Sequence, residues 1–163
     1  MNGLIPALIA VMLIEIGPRA MLYADARRAQ ASLWIIIVMV FGAAAAGVAV
    51  APMLTDWADA FMIAIALAFG AVGQLQRIRP AAGVVPVVLA FWRGGVALAV
   101  FAFAARFGVF GAAFGAIGGL VAAAVVSRAA RGAGIPLDPL RWGAAGVLAV
   151  AAFVVAIGAL RLT

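Results

Sequence analysis

The chain has 163 residues, of which 69% are hydrophobic and only 10% charged, and its mean hydropathy is +1.30. Such values lie far from those of soluble domains and describe an integral membrane protein. The 11 basic residues are all arginine and the net charge is +6, while cysteine and histidine are absent, which excludes disulfides, thiol catalysis and thiolate or imidazole metal ligands.

A membrane-crossing helix needs about 20 mostly apolar residues. Apolar runs separated by clusters of Arg, Asp, Pro and Gly predict six spans, at 3–23, 32–52, 58–75, 84–105, 108–126 and 142–160. The first run, "MNGLIPALIAVMLIEIG", has no positive n-region and is read as a span rather than a signal peptide. Connections between the runs are short and leave no soluble domain.

Arginines near span ends collect on the cytoplasmic side. Arg27 and Arg28 fall in the first loop, Arg77 and Arg79 in the third, and Arg128, Arg131 and Arg141 in the fifth. The second loop holds Asp56 and Asp59, the fourth only Arg106, and the carboxyl end only Arg161. This bias predicts cytoplasmic loops one, three and five and external termini, and it assigns the positive charge to membrane orientation rather than to nucleic acid. Trp34, Trp57 and Trp142 suit interfacial anchoring, and Asp25, Asp56, Asp59 and Asp138 are expected to be solvated in loops. Arginine-only basic usage and abundant alanine suggest GC-rich bacterial DNA, so the expected location is a bacterial inner membrane.

Three spans followed by three spans suggest two repeats, 1–80 and 81–163, and an odd number of spans per half makes such halves inverted in the membrane. Setting Glu15 against Phe91 aligns "EIGPRAML" with "FWRGGVAL", and "AVGQL" at 71–75 aligns with "AIGAL" at 156–160. The expected fold is therefore all-α, with six transmembrane helices as two inverted three-helix repeats whose motif segments meet near the midplane.

Within the first span, Glu15 is a carboxylate in an apolar run, where charge costs roughly 2.5–3.5 kcal/mol and so faces a cavity or a partner. Pro18 has no N–H, which leaves the carbonyl of Ile14 without its helical donor, and Gly17 relaxes the backbone beside it. A carboxylate next to a freed carbonyl is a half-site for a hard cation. Equally, Arg19 lies one turn on and can pair with Glu15 along one helix face, the proline then being a simple kink.

These residues resemble a family. "EIGPRAML" is similar to the Glu-x-Gly-Asp-Lys/Arg signature of the Gdt-type cation/proton exchangers, the transmembrane-protein-165 group, small six-span proteins with one signature in each inverted half. "AVFAFAARFG" and the tail from Gly134 to Thr163 resemble bacterial members, so the likeness covers essentially the whole chain. It implies exchange of Mn²⁺ or Ca²⁺ for protons, the ion being cargo rather than a permanently bound cofactor. Glu15 matches the acidic ligand and is the only metal ligand carried over, Gly17 matches the glycine and Arg19 the basic position, whereas Pro18 stands where the aspartate belongs. In the second half Phe91 replaces the glutamate, Arg93 the glycine, Gly94 the aspartate and Gly95 the basic residue.

The departures reduce the family's four carboxylates to one, and Arg19 with Arg93 sets two positive charges against it. A divalent ion needs six or more oxygens and compensating negative charge. Two readings follow: a cation/proton antiporter with an eroded site in which carbonyls near Ile14 and Gly94 assist Glu15, or a non-transporting partner or regulator that forms a heteromer with a complete-motif paralogue, or a homodimer. Arg93 is expected to replace the cation by pairing with Glu15, or else to snorkel. An enzyme is not expected, because no nucleophile and base can be assembled from the intramembrane residues. Gly111, Gly115 and Gly119, and "GAAAAG" at 42–47, form small-residue stripes suited to close helix packing. Gln74 is placed at the interface.

Overall fold

The computed structural model describes residues 3–17, 20, 30–76 and 84–161. Among them every regular element is helical: α1 Leu4–Glu15, α2 Gln30–Val50 with a short 3₁₀ turn Ala51–Met53, α3 Asp56–Leu75, α4 Val84–Arg93, α5 Val96–Phe107, α6 Val109–Gly132 and α7 Leu137–Leu160. Four stretches are long and apolar enough to cross a membrane: Trp34–Met53, Asp56–Leu75, Val109–Gly132 and Leu137–Leu160. A fifth arises if Val85–Arg93 and Val96–Phe107 count as one span bent by 55°. The molecule is thus an all-α protein of membrane-spanning character.

Two expected spans differ from this. The first, 3–23, is helical over Leu4–Glu15, turns at Ile16 and Gly17 and is helical again at Ala20; the rest of it lies outside the described residues. The fourth, 84–105, breaks at Gly94 and Gly95; Gly95 has φ +86°, a conformation that a residue with a Cβ rarely adopts.

The outer surface is apolar. Ile5, Val38, Phe110, Val150 and Phe153 are each more than half exposed, and Trp34, Trp57, Trp92 and Trp142 all face outward. In water such a surface would drive aggregation; against lipid tails it costs nothing. The interior is built from alanine, valine and a few larger side chains, with Phe91 and Ile14 the largest that are wholly buried.

Three pairings dominate the packing: α1 on α6, α2 on α5, and α3 on α7. The first is close because α6 offers glycines. A Cβ on Gly115 would lie 2.5 Å from the Leu4 carbonyl oxygen, and one on Gly119 2.6 Å from that of Leu8. Gly3 lies beside Gly111, so α1 and α6 run in the same direction. Gly47 of α2 similarly backs onto the Phe101 carbonyl of α5, whereas Gly42 faces open space. The small-residue stripes therefore pack helices as expected, though only one glycine of "GAAAAG" does so.

Both helix breaks press on one turn of α3. A Cβ on Gly70 would meet Ile14 Cγ1 at 2.5 Å, and one on Gly95 would meet Gly70 N at 3.0 Å. Gly70 lets the end of α1 and the α4–α5 turn approach α3 together.

Candidate functional site

Among the described residues only three polar or charged side chains are buried: Glu15, Gln74 and Ser127. They come from α1, α3 and α6 and gather at the broken end of α1. Helical bonding persists up to Ile16 N–H, which donates to Met12 O at 2.9 Å. Ile16 then leaves the helix with ψ 136°, and Gly17 turns to φ +106°.

That turn redirects the backbone donors. Gly17 N–H, whose helical acceptor would be Leu13 O, instead donates to Ser127 Oγ at 2.8 Å. Residue 18 is proline and has no N–H for Ile14 O. Two carbonyls thus lose their donors, and the Gln74 amide replaces both: its Nε2 donates to Leu13 O at 2.8 Å, Ile14 O at 2.7 Å and Ile16 O at 3.1 Å. The carbonyl of Ile14 is freed as the sequence indicates, but an amide rather than a cation meets it. Gln74 lies next to the end of α3, as expected, and is only 2% exposed because it faces the bundle.

Gln74 is itself held. Its carbonyl is among the last four of α3, which lack helical donors, and Arg141 of α7 donates to it from Nε at 2.9 Å and Nη2 at 2.6 Å. Arg141 Nη1 also donates to Asp138 Oδ1 at 3.0 Å. The stem of Arg141 covers Gly17 so closely that a Cβ there would lie 2.7 Å from Arg141 Cγ. Gly17→Ala combines that clash with an unfavourable φ, and a loss of about 1–3 kcal/mol is expected, read as a lower unfolding midpoint in detergent.

Glu15 is fully buried as the last residue of α1, beside this cluster. Arg93 is exposed at the end of α4, and no ion pair joins it to Glu15, so the expected pairing is not formed. Gly94 is buried in the α4–α5 turn, its N–H bonded to Ala90 O at 2.8 Å. Pro18 and Arg19 lie outside the described side chains, as do Asp25, Arg27, Arg28, Arg77 and Arg79.

At the other end of α3, Arg106 Nη1 is 3.7 Å from Asp56 Oδ1 and 3.8 Å from Asp59 Oδ2. Asp56 is solvated as expected, but the Asp59 side chain is only 13% exposed. An open groove of about 680 Å³ between α3 and α7 has an almost entirely apolar lining that includes Ala68, Ala71 and Ala149, and carries no titratable group.

Chemically, the end of α1 presents a carboxylate and three carbonyls that accept from the Gln74 amide, a hard-oxygen set. No group of three or more His, Cys, Asp or Glu able to hold a metal occurs among the described residues. Sequence reasoning missed Ser127 and the role of Arg141: a single serine in an alanine-rich helix has no pattern, and an arginine near a span end looks topogenic. Compared with protein-family models, characterised proteins and solved structures, the chain matches none.

Proposed function

We propose that the chain is a diverged cation/proton antiporter of a bacterial inner membrane, with Glu15 as its proton- and ion-carrying group and both termini external. The observation that carries this reading is a fully buried carboxylate at a helix break, where backbone carbonyls accept from a side chain of another helix. Irregular backbone at membrane depth is tolerated where it lines a cavity or is buried in protein, and broken helices are where transporters place their ion sites.

The reading includes six spans in two inverted halves, 1–80 and 81–163. It is supported by an exchange relation in the packing: the first helix of one half lies on the second of the other in both directions, α1 on α6 and α5 on α2, while the third helices α3 and α7 lie on each other. Each half also breaks at its motif, at Gly17 and at Gly95. Those glycines are two residues out of step with the alignment of Glu15 on Phe91.

Mn²⁺ or Ca²⁺ is the cargo that the family resemblance implies. The residues fit a divalent ion poorly, because one carboxylate is at hand and the carbonyls already accept from Gln74. That same observation favours a second reading, a non-transporting partner of a complete-motif paralogue.

The test is uptake of Mn²⁺ and Ca²⁺, with internal pH recorded, in proteoliposomes holding the protein or Glu15→Gln. Proton-coupled uptake that falls to the empty-vesicle rate in the variant is the expected result for an antiporter. No uptake in either, alongside an active complete-motif protein, supports the partner reading instead.

A further inference from the structure

We propose that Arg141 and Arg106 are unequal gates at the two ends of α3, and that the Arg106 end opens first while the Arg141 end stays shut. Both arginines belong to helices of the second half and grip a helix of the first. At one end Arg141 makes three contacts of 3.0 Å or less, two of them to a backbone carbonyl, and its side chain is 13% exposed. At the other, Arg106 approaches Asp56 and Asp59 at 3.7 and 3.8 Å, beyond hydrogen-bonding distance, and is 37% exposed.

The difference in kind matters as much as the distances. Short charge-assisted hydrogen bonds shielded from water are directional and strong, whereas a looser ion pair reaching solvent is screened and readily exchanged for water. The Arg141 contact also transmits. Its guanidinium fixes the Gln74 backbone, the Gln74 side chain fixes three carbonyls of α1, and its stem covers Gly17, which is tied to Ser127 of α6. Opening that end requires α1, α3, α6 and α7 to part together. At the Arg106 end the polar contacts that part are, among the described residues, the two loose ion pairs between α5 and the start of α3; what else holds the end of α5 is apolar and main-chain packing on Gly3 and on Gly47 of α2.

The inference borrows from the antiporter reading only the idea that the bundle admits water from one end at a time. Its test reads water access and does not need transport. The chain has no cysteine, so a single introduced thiol is uniquely addressable. Ile63→Cys places one a turn inside Asp59, Ser127→Cys one beneath the Arg141 stem, and Val40→Cys one in the buried middle of α2; all three parent residues are buried.

Each variant is treated in detergent micelles with a hydrophilic methanethiosulfonate reagent and the rate of modification is measured. Ile63→Cys is expected to react about tenfold faster than Ser127→Cys or Val40→Cys, the factor one hydrogen bond to a charged group supplies. Adding Arg141→Ala is expected to raise Ser127→Cys to the Ile63→Cys rate and leave Val40→Cys slow. If Arg141→Ala does not fold, Arg141→Lys serves, since an ammonium cannot reproduce the paired contacts, and a smaller rise is expected.

Equal rates at 63 and 127 overturn the proposal. So does a Ser127→Cys rate indifferent to Arg141, or a Val40→Cys rate that rises in step, which marks general loosening. Unequal labelling without uptake in the proteoliposome experiment overturns the antiporter reading and leaves the gates standing; uptake with equal labelling does the reverse.

Discussion

Gln74→Leu is expected to lower the unfolding midpoint in detergent more than any other single change at the site. Leucine keeps the approximate volume but removes both amide hydrogens, and the carbonyls of Leu13, Ile14 and Ile16 then face an apolar side chain. Each buried acceptor left without a donor costs about 1–3 kcal/mol. Water reaching one of them limits the total to roughly 3 kcal/mol, which for a chain of this size moves the midpoint by about 6–12 °C. Gln74→Glu tests the cause. A neutral glutamic acid side chain is close in size and keeps one O–H donor where the amide has two N–H groups. It is expected to leave the midpoint between those of the parent and the leucine variant. A glutamate variant no more stable than the leucine variant would mean that donation to α1 is not what position 74 supplies.

How much of this was legible beforehand varies by element. The spans at α2, α3, α6 and α7 were legible because long apolar runs fix them, and the structure places their limits close to those expected, apart from extensions of several residues at the carboxyl end of α6 and the start of α7. The break in α1 was legible too, since Gly17 and Pro18 are helix breakers in succession. The break in the fourth run was not: Gly94 and Gly95 sit among valine, alanine and phenylalanine, and hydropathy registers apolarity without registering the positive φ at Gly95.

The candidate site divides along the same line. Glu15 stood out as the lone carboxylate in an apolar segment. Its surroundings depend on main-chain groups, which leave no mark on the sequence: Gln74 bonds to carbonyls, Ser127 to an N–H and Arg141 to a carbonyl. Side-chain complementarity singles out Arg93, the other charge at motif level, and is blind to the amide that meets the α1 carbonyls. Arg141, expected in the fifth loop, lies within the first turns of α7, and its charge caps α3.

The glycines supply the second large effect, and they supply it with opposite signs. Gly119→Ala sets a methyl 2.6 Å from the Leu8 carbonyl oxygen and 2.9 Å from Met12 N, both main-chain atoms of α1 that no rotamer change can move. Relief requires α1 to back away from α6, and a loss of about 1–3 kcal/mol is expected. Gly42→Ala, in the interior of α2 with nothing within 4 Å, meets no obstacle and is expected to gain up to about 1 kcal/mol from helix propensity. Opposite shifts of the unfolding midpoint check both, and a Gly119→Ala protein as stable as the parent would refute the close α1–α6 contact. The wedge also reaches the site, because α1 is attached at its other end through Gln74 and Ser127. A short helix pushed off α6 pulls on those bonds, so Gly119→Ala and Gln74→Leu disrupt a shared element. Their combined loss is expected to fall short of the sum. Strictly additive losses would mean that the packed and the hydrogen-bonded ends of α1 hold independently, and that Glu15 is positioned by the polar end alone.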